Sequence, residues 1–98
     1  MHIGVCTINL YMHSSRSLKD KRQILKSMTD RLRHKFNISV AEIGNNNSWD
    51  TATLGIVLLS NNRKFTNELV SRTINFINSS RLPFEVLDIS TEIISGSD

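Results

Sequence analysis

Residues 17–44, SLKDKRQILKSMTDRLRHKFNISVAEIG, change periodicity once, and that change decides the fold. Ser17 stands three residues before Asp20, a variant of the capping box that opens a helix. Leu18, Leu25, Met28, Leu32 and Phe36 then recur at spacings of 7, 3, 4 and 4, which is one helical face. Asn37 stops the helix, and residues 38–44 (ISVAEIG) read as a strand. Upstream, residues 2–13 (HIGVCTINLYMH) are rich in β-branched and apolar side chains and read as another strand, followed by a polar break over Ser14-Ser15-Arg16-Ser17. Downstream come the turn cluster Asn45-Asn46-Asn47-Ser48 and a third strand over 51–60 (TATLGIVLLS). Asn61 and Asn62 supply a cap for a second helix, whose looser stripe is Phe65, Leu69, Ile74, Phe76 and Ile77. Pro83 cannot continue a helix, so residues 79–83 end it. Residues 84–94 (FEVLDISTEII) read as a fourth strand, and a frayed tail is expected over 95–98.

The order is β-α-β-β-α-β. Two β-α-β halves predict an α+β, ferredoxin-like sandwich: a four-stranded antiparallel sheet with both helices on one face. At 98 residues and 11.1 kDa, one domain over 1–98 is expected. Hydrophobic residues make up 39% and charged residues 21%, which favours neither a disordered chain nor a coiled coil. No stretch of about 18 apolar residues exists to form a membrane-spanning helix. The start of the chain lacks the charged, apolar and cleavage regions of a signal peptide. A single cysteine, Cys6, excludes an internal disulfide framework and any multi-cysteine zinc site. A cytoplasmic protein is the expectation.

The segments SLKDKR (17–22), Leu25-Lys26-Ser27, Arg31-Leu32-Arg33 and FNISVAE (36–42) resemble the YlxP-like family of small bacterial proteins. The resemblance continues through Trp49, Ala52, Leu54-Gly55, Ser60-Asn61 and Leu87-Asp88, and so covers nearly the whole chain. It implies a ferredoxin-like fold, in agreement with the element order. The family has no settled activity. Its genes often sit beside those for transcription and translation factors and a ribosome-binding factor, which implies a role in ribosome assembly or with RNA. The Asn-rich turn over 45–48 departs from the family pattern.

Charge is unevenly spread. Between Arg16 and Lys35 lie eight basic residues and two acids, a surplus of six. The four basic and seven acidic residues elsewhere leave a deficit of three, for a net charge of +3. A wheel at about 100° per residue puts Arg22, Arg33, Lys26 and Lys19 at roughly 40°, 60°, 80° and 100° from Leu18, beside an apolar arc from about −80° to 0°. Neighbouring charges on that stripe are one or two turns apart, on the order of 5 to 10 Å, a spacing compatible with a phosphate backbone. Lys19, Arg22, Lys26 and Arg33 are therefore the candidate RNA-binding residues, with Arg16 and Lys21 in support. The plainer reading of the stripe is a solvated helix face.

Recognition through the sheet, as in RRM domains, needs aromatic side chains on central strands for stacking. The first strand has only Tyr11 and the third has none. Structured RNA, read by shape and charge, is the expected partner class. Trp49 is a candidate stacking or partner contact, or else folds over the sheet edge.

Strand parity sets Gly4, Cys6, Ile8 and Leu10 on one face of the first strand and Ile3 and Val5 on the other. By the same rule Ala52, Leu54, Ile56 and Leu58 oppose Val57 and Leu59. Helices cover one face, so Ile3, Val5, Val57 and Leu59, with Val86 at the margin, are the candidates for an open-face interface. This gives the alternative function: a homodimeric protein-interaction or small-ligand module working through the open sheet.

No Gly-x-Gly-x-x-Gly, P-loop, His-Glu-x-x-His or nucleophile elbow is present. His2, His13 and His34 have no metal-ligand spacing. The loop over 14–17 precedes a helix N-terminus, as a phosphate loop does in acylphosphatases, yet lacks their glycine pattern, and N-capping by Ser17 is the expected role. The expectation is a non-enzymatic protein without catalytic residues, metal or cofactor.

Overall fold

The structure is a computed structural model and describes residues 1–96. Its elements are β1 (His2–Tyr11), α1 (Leu18–Lys35), β2 (Ser39–Gly44), β3 (Thr51–Ser60), α2 (Arg63–Asn78) and β4 (Glu85–Ser95). The strands form one antiparallel sheet in the order β2-β3-β1-β4. This is the ferredoxin-like arrangement that the sequence predicts.

The boundaries follow local chemistry. The Ser17 hydroxyl caps α1 by accepting from the Asp20 amide at 3.1 Å. The Asp20 carboxylate in turn accepts from the Arg16 amide at 2.9 Å. Arg33, His34 and Lys35 lie in the last turn, where the helix dipole favours cations. Asn62 caps α2 by accepting from the Phe65 amide at 2.9 Å. Asn45, at φ 62°, takes the left-handed conformation in the β2–β3 turn that asparagine tolerates better than most residues. β2 and β4 each begin one residue later than expected, at Ser39 and Glu85, and two further ends differ. β1 stops at Tyr11 rather than running to residue 13. Ser95 belongs to β4 and pairs with His2, and the Gly96 amide donates to the Met1 carbonyl at 2.8 Å, so the chain is held to residue 96. The rest of the expected frayed tail, residues 97–98, lies outside the described residues.

Parity along β1 and β3 is as expected. Cys6, Ile8, Leu10, Ala52, Leu54, Ile56 and Leu58 are buried beneath the helices. Burial raises the Cys6 thiol above its ordinary pKa by desolvation, so it stays protonated. Val86 is corrected. A bulge between Asn9 and Leu10 shifts the β1–β4 register, so Val86 pairs with Leu10 and packs against the core instead of lying on the open face.

The buried line of α2 also departs from the expected stripe. It runs through Thr66, Val70, Thr73 and Ile77, while Phe65 is exposed. Two threonines can face a core because their hydroxyls are satisfied nearby: Thr66 Oγ1 donates to the Asn62 carbonyl at 2.9 Å and Thr73 Oγ1 to the Leu69 carbonyl at 2.8 Å. Their methyl groups are left for packing. At Thr66 and Val70 the reason for small residues is Gly4. A Cβ at that position would lie 2.6 Å from Val70 Cγ2 and 3.3 Å from Thr66 Cγ2. The helix seats directly on the β1 backbone.

That close approach gives a test. Gly4→Ala should lower stability by about 2 kcal/mol through overpacking against a stiff β-branched neighbour. Adding Val70→Ala should recover part of the loss relative to Val70→Ala alone. Urea unfolding of the four proteins measures the coupling, and strictly additive effects would show that Gly4 is not the seat of α2.

Candidate functional site: the basic flank of the first helix and the turn beside it

Among the expected cations, Lys19, Arg22, Lys26 and Arg33 are exposed, as is Arg16 ahead of the helix. Their bonding differs. Lys26 pairs with Asp30 one turn on, at 2.8 Å, with both side chains largely in solvent. Such a pair is weak and easily exchanged. Arg33 donates from Nη2 to the Val40 carbonyl at 2.8 Å, which ties the last turns of α1 to β2 and leaves the rest of the guanidinium outward. Lys19 and Arg22 have no carboxylate within ion-pair range among the described residues. The stripe is thus a real surface, with two unpaired charges at its N-terminal end.

Lys21 is the correction. It is 1% exposed, inside the protein, and is not part of that surface. Its ammonium donates to Glu42 Oε2 at 2.8 Å, the Asn45 carbonyl at 2.8 Å and the Thr51 carbonyl at 3.1 Å. An ammonium has three N–H donors, and here three acceptors receive them. The signal was in the helical wheel: three residues after Leu18 falls at about −60°, in the middle of the apolar arc. A cation there must either snorkel or find a complete set of partners. The partners come from β2 and the β2–β3 turn, brought together only by the folded sheet.

That turn is pinned elsewhere as well. The buried Ser15 hydroxyl donates to the Trp49 carbonyl. The Met12 amide donates to the Asp50 carbonyl at 2.7 Å. Ser48 Oγ donates to Asp50 Oδ1 at 3.1 Å and accepts from the Thr51 amide at 3.1 Å. The Trp49 side chain itself is 57% exposed. It is not part of the buried core.

The loop before α1 is occupied by its own side chains. The Arg16 amide is bonded to Asp20 and the Asp20 amide to Ser17, as capping requires. A carboxylate already sits where a phosphate would go.

The open sheet face has two halves. One is polar: Asn45 Nδ2 donates to Thr53 Oγ1 at 3.0 Å, Thr53 Oγ1 to Asn9 Oδ1 at 2.6 Å, and Asn9 Nδ2 to Asp88 Oδ1 at 2.6 Å. This chain of bonds crosses β3, β1 and β4. The other half is apolar. Ile3 lies opposite both Leu59 and Ile94, and Val5 opposite Val57. Ile43 lies over Gly55, where a Cβ would meet its Cγ2 at 3.1 Å. Leu59, Val57, Ile94 and Ile43 are all exposed. The sequence reading had the β1 and β3 members of this patch. Ile43 and Ile94, which that reading did not include, extend the patch on β2 and β4. Among the described residues no three His, Cys, Asp or Glu side chains are grouped to hold a metal. No helix of the described residues is long and apolar enough to cross a membrane.

An α+β sandwich with a basic first helix is the class these features define. Over its full length it is similar in fold to the de novo designed protein Foldit4, at TM-score 0.53 and 11% identity, covering 99% of this chain and all of that one. The family described as "Protein of unknown function (DUF503)" matches residues 3–91. An uncharacterized protein of Bacillus subtilis (strain 168), YlxP, is 35% identical over 77 residues, which are 79% of this chain and 84% of that protein. The chain belongs to this YlxP-like family of unknown function.

The Lys21 clamp makes a direct prediction. Lys21→Met keeps the stem but strands the Glu42 carboxylate and two carbonyls, and should cost about 3 kcal/mol. Chemical unfolding checks it; a loss below about 0.5 kcal/mol would show that the bonds contribute nothing net.

Proposed function

We propose that this protein is a non-enzymatic RNA-binding module, acting with structured RNA such as that of an assembling ribosome through the outward flank of α1. The observation that carries the reading is the exposed row Lys19, Arg22, Lys26 and Arg33, with Arg16 ahead of it and two members free of ion pairs. Charge elsewhere supports it. Lys21 and Arg33 both reach β2, so α1 overlies the β2 side of the sheet. The far edge, β4, carries exposed Glu85, Asp88 and Glu92. The surplus of cations on α1 attracts a polyanion to that side of the molecule first, which orients the encounter. Cations at one- and two-turn spacing match phosphate contacts, which position an RNA without reading its sequence. The gene surroundings implied by the family resemblance point the same way.

Four phosphate contacts give a slope of about −3 in log K against log salt. The double variant Lys19→Glu/Arg22→Glu changes only exposed side chains, so its circular dichroism and melting should match the wild type. Its binding to ribosomal subunits or a folded RNA should fall at least 10-fold at physiological salt. Binding that is unchanged in the variant, or insensitive to salt, would remove α1 as the RNA surface.

A second reading is favoured by the apolar half of the open sheet. Ile3, Val5, Val57 and Leu59, extended by Ile43 and Ile94, form a contiguous patch, and such patches mark interfaces. A second copy packing sheet to sheet is the simplest occupant, because the patch is itself flat and uncharged. Sedimentation should show a dimer that Val57→Lys converts to a monomer; a wild type that is monomeric at high concentration removes this reading.

A further inference from the structure

We infer that Trp49 is a stacking platform for an unpaired nucleobase, set at the end of the α1 flank, so that the RNA bound is a helix interrupted by a bulge or loop. The inference rests on the reading of α1 as an RNA surface and names the class of RNA that surface takes.

Three observations meet at this residue. The first is exposure. Trp49 is the chain's single tryptophan, and its side chain is 57% exposed. An exposed ring of that size offers a flat apolar face on which a ligand ring can stack. The second is the mount. The backbone on either side of Trp49 is held by Lys21 through Asn45 and Thr51, by Ser15 through the Trp49 carbonyl, and by Met12 through the Asp50 carbonyl. An exposed ring on a fixed backbone binds at low entropic cost, because the loop is already ordered. The third is charge. Ser15, which bonds the Trp49 carbonyl, is followed by exposed Arg16, and α1 begins two residues later with exposed Lys19 and Arg22. Asp50, the neighbouring residue in the chain, accepts a hydrogen bond from Ser48 at 3.1 Å.

The exposed cations that follow Ser15, Arg16 and then Lys19 and Arg22, disfavour a second copy of this basic segment and favour a ligand that combines a flat ring with phosphate. Nucleobases in a regular duplex stack on one another and do not offer a face to protein. A bulged or looped base does, while the flanking duplex supplies phosphates to the helix. Stacking on an aromatic side chain is tolerant of base identity, so recognition is of structure rather than sequence.

The single tryptophan makes its own probe. A short blunt RNA duplex and the same duplex with one bulged adenosine are titrated into the protein at low salt, and indole emission is followed. The bulged RNA should quench the emission and bind about 10-fold tighter than the blunt one, the equivalent of a stacked base. Trp49→Phe should keep the preference and Trp49→Ala should remove it, with melting unchanged in both because the ring is outside the core. Equal binding of the two RNAs without quenching, together with loss of both in Lys19→Glu/Arg22→Glu, would overturn the platform and leave the helix surface standing. Binding of neither RNA would overturn the helix reading and the platform with it. An emission change on raising protein concentration alone would assign the ring to a protein contact and overturn the inference.

Discussion

The ammonium of Lys21 lies inside the protein, and the arrangement of α1, β2 and the β2–β3 turn depends on it. Moving such a charge out of water is costly, and only a full set of close acceptors offsets the cost. Glu42 supplies the counter-charge, and the Asn45 and Thr51 carbonyls take the remaining donors. A bond to each side of the turn leaves it little freedom. Leu25, Met28 and Leu32 complete the buried face of α1 with ordinary apolar packing. The lysine sets which part of the sheet that face meets.

Around this clamp the molecule separates its surfaces by chemistry. The outward flank of α1 is cationic and close to the β2 edge. The β4 edge is acidic, and charges on an edge strand also discourage pairing with other chains. The open sheet is divided again, into a hydrogen-bonded polar end and an apolar end. A protein of this size has little surface to spare. RNA on the helix flank and a protein on the apolar half of the sheet would use opposite sides and need not compete.

Most of the fold was legible because its signals are local. The shift from helical to strand periodicity near Asn37, the cap at Ser17 and the polar Ser79-Ser80 end of α2 each act within a few residues. Strand parity correctly put Cys6, Ile8 and Leu54 inside and Val57 and Leu59 outside. What escaped was α2, where an apolar count favoured Phe65 over Thr66 and Thr73. Both threonines pack inside because each hydroxyl finds a helix carbonyl, and at Thr66 Gly4 also opens a shallow seat for the methyl. Gly4 lies far from α2 in sequence, so no local pattern couples the two.

The sequence by itself determined the element order, the two-layer class and the basic character of the first helix, since each follows from residue type and spacing along one segment. The tertiary structure decided which cation is inside, where Trp49 stands and how far the apolar patch extends. Those depend on bonds and registers between segments distant in the chain: Lys21 with Thr51, Ser15 with Trp49, Ile3 with Ile94. Periodicity places a side chain on a face, but only the partner across the fold determines whether that face meets water.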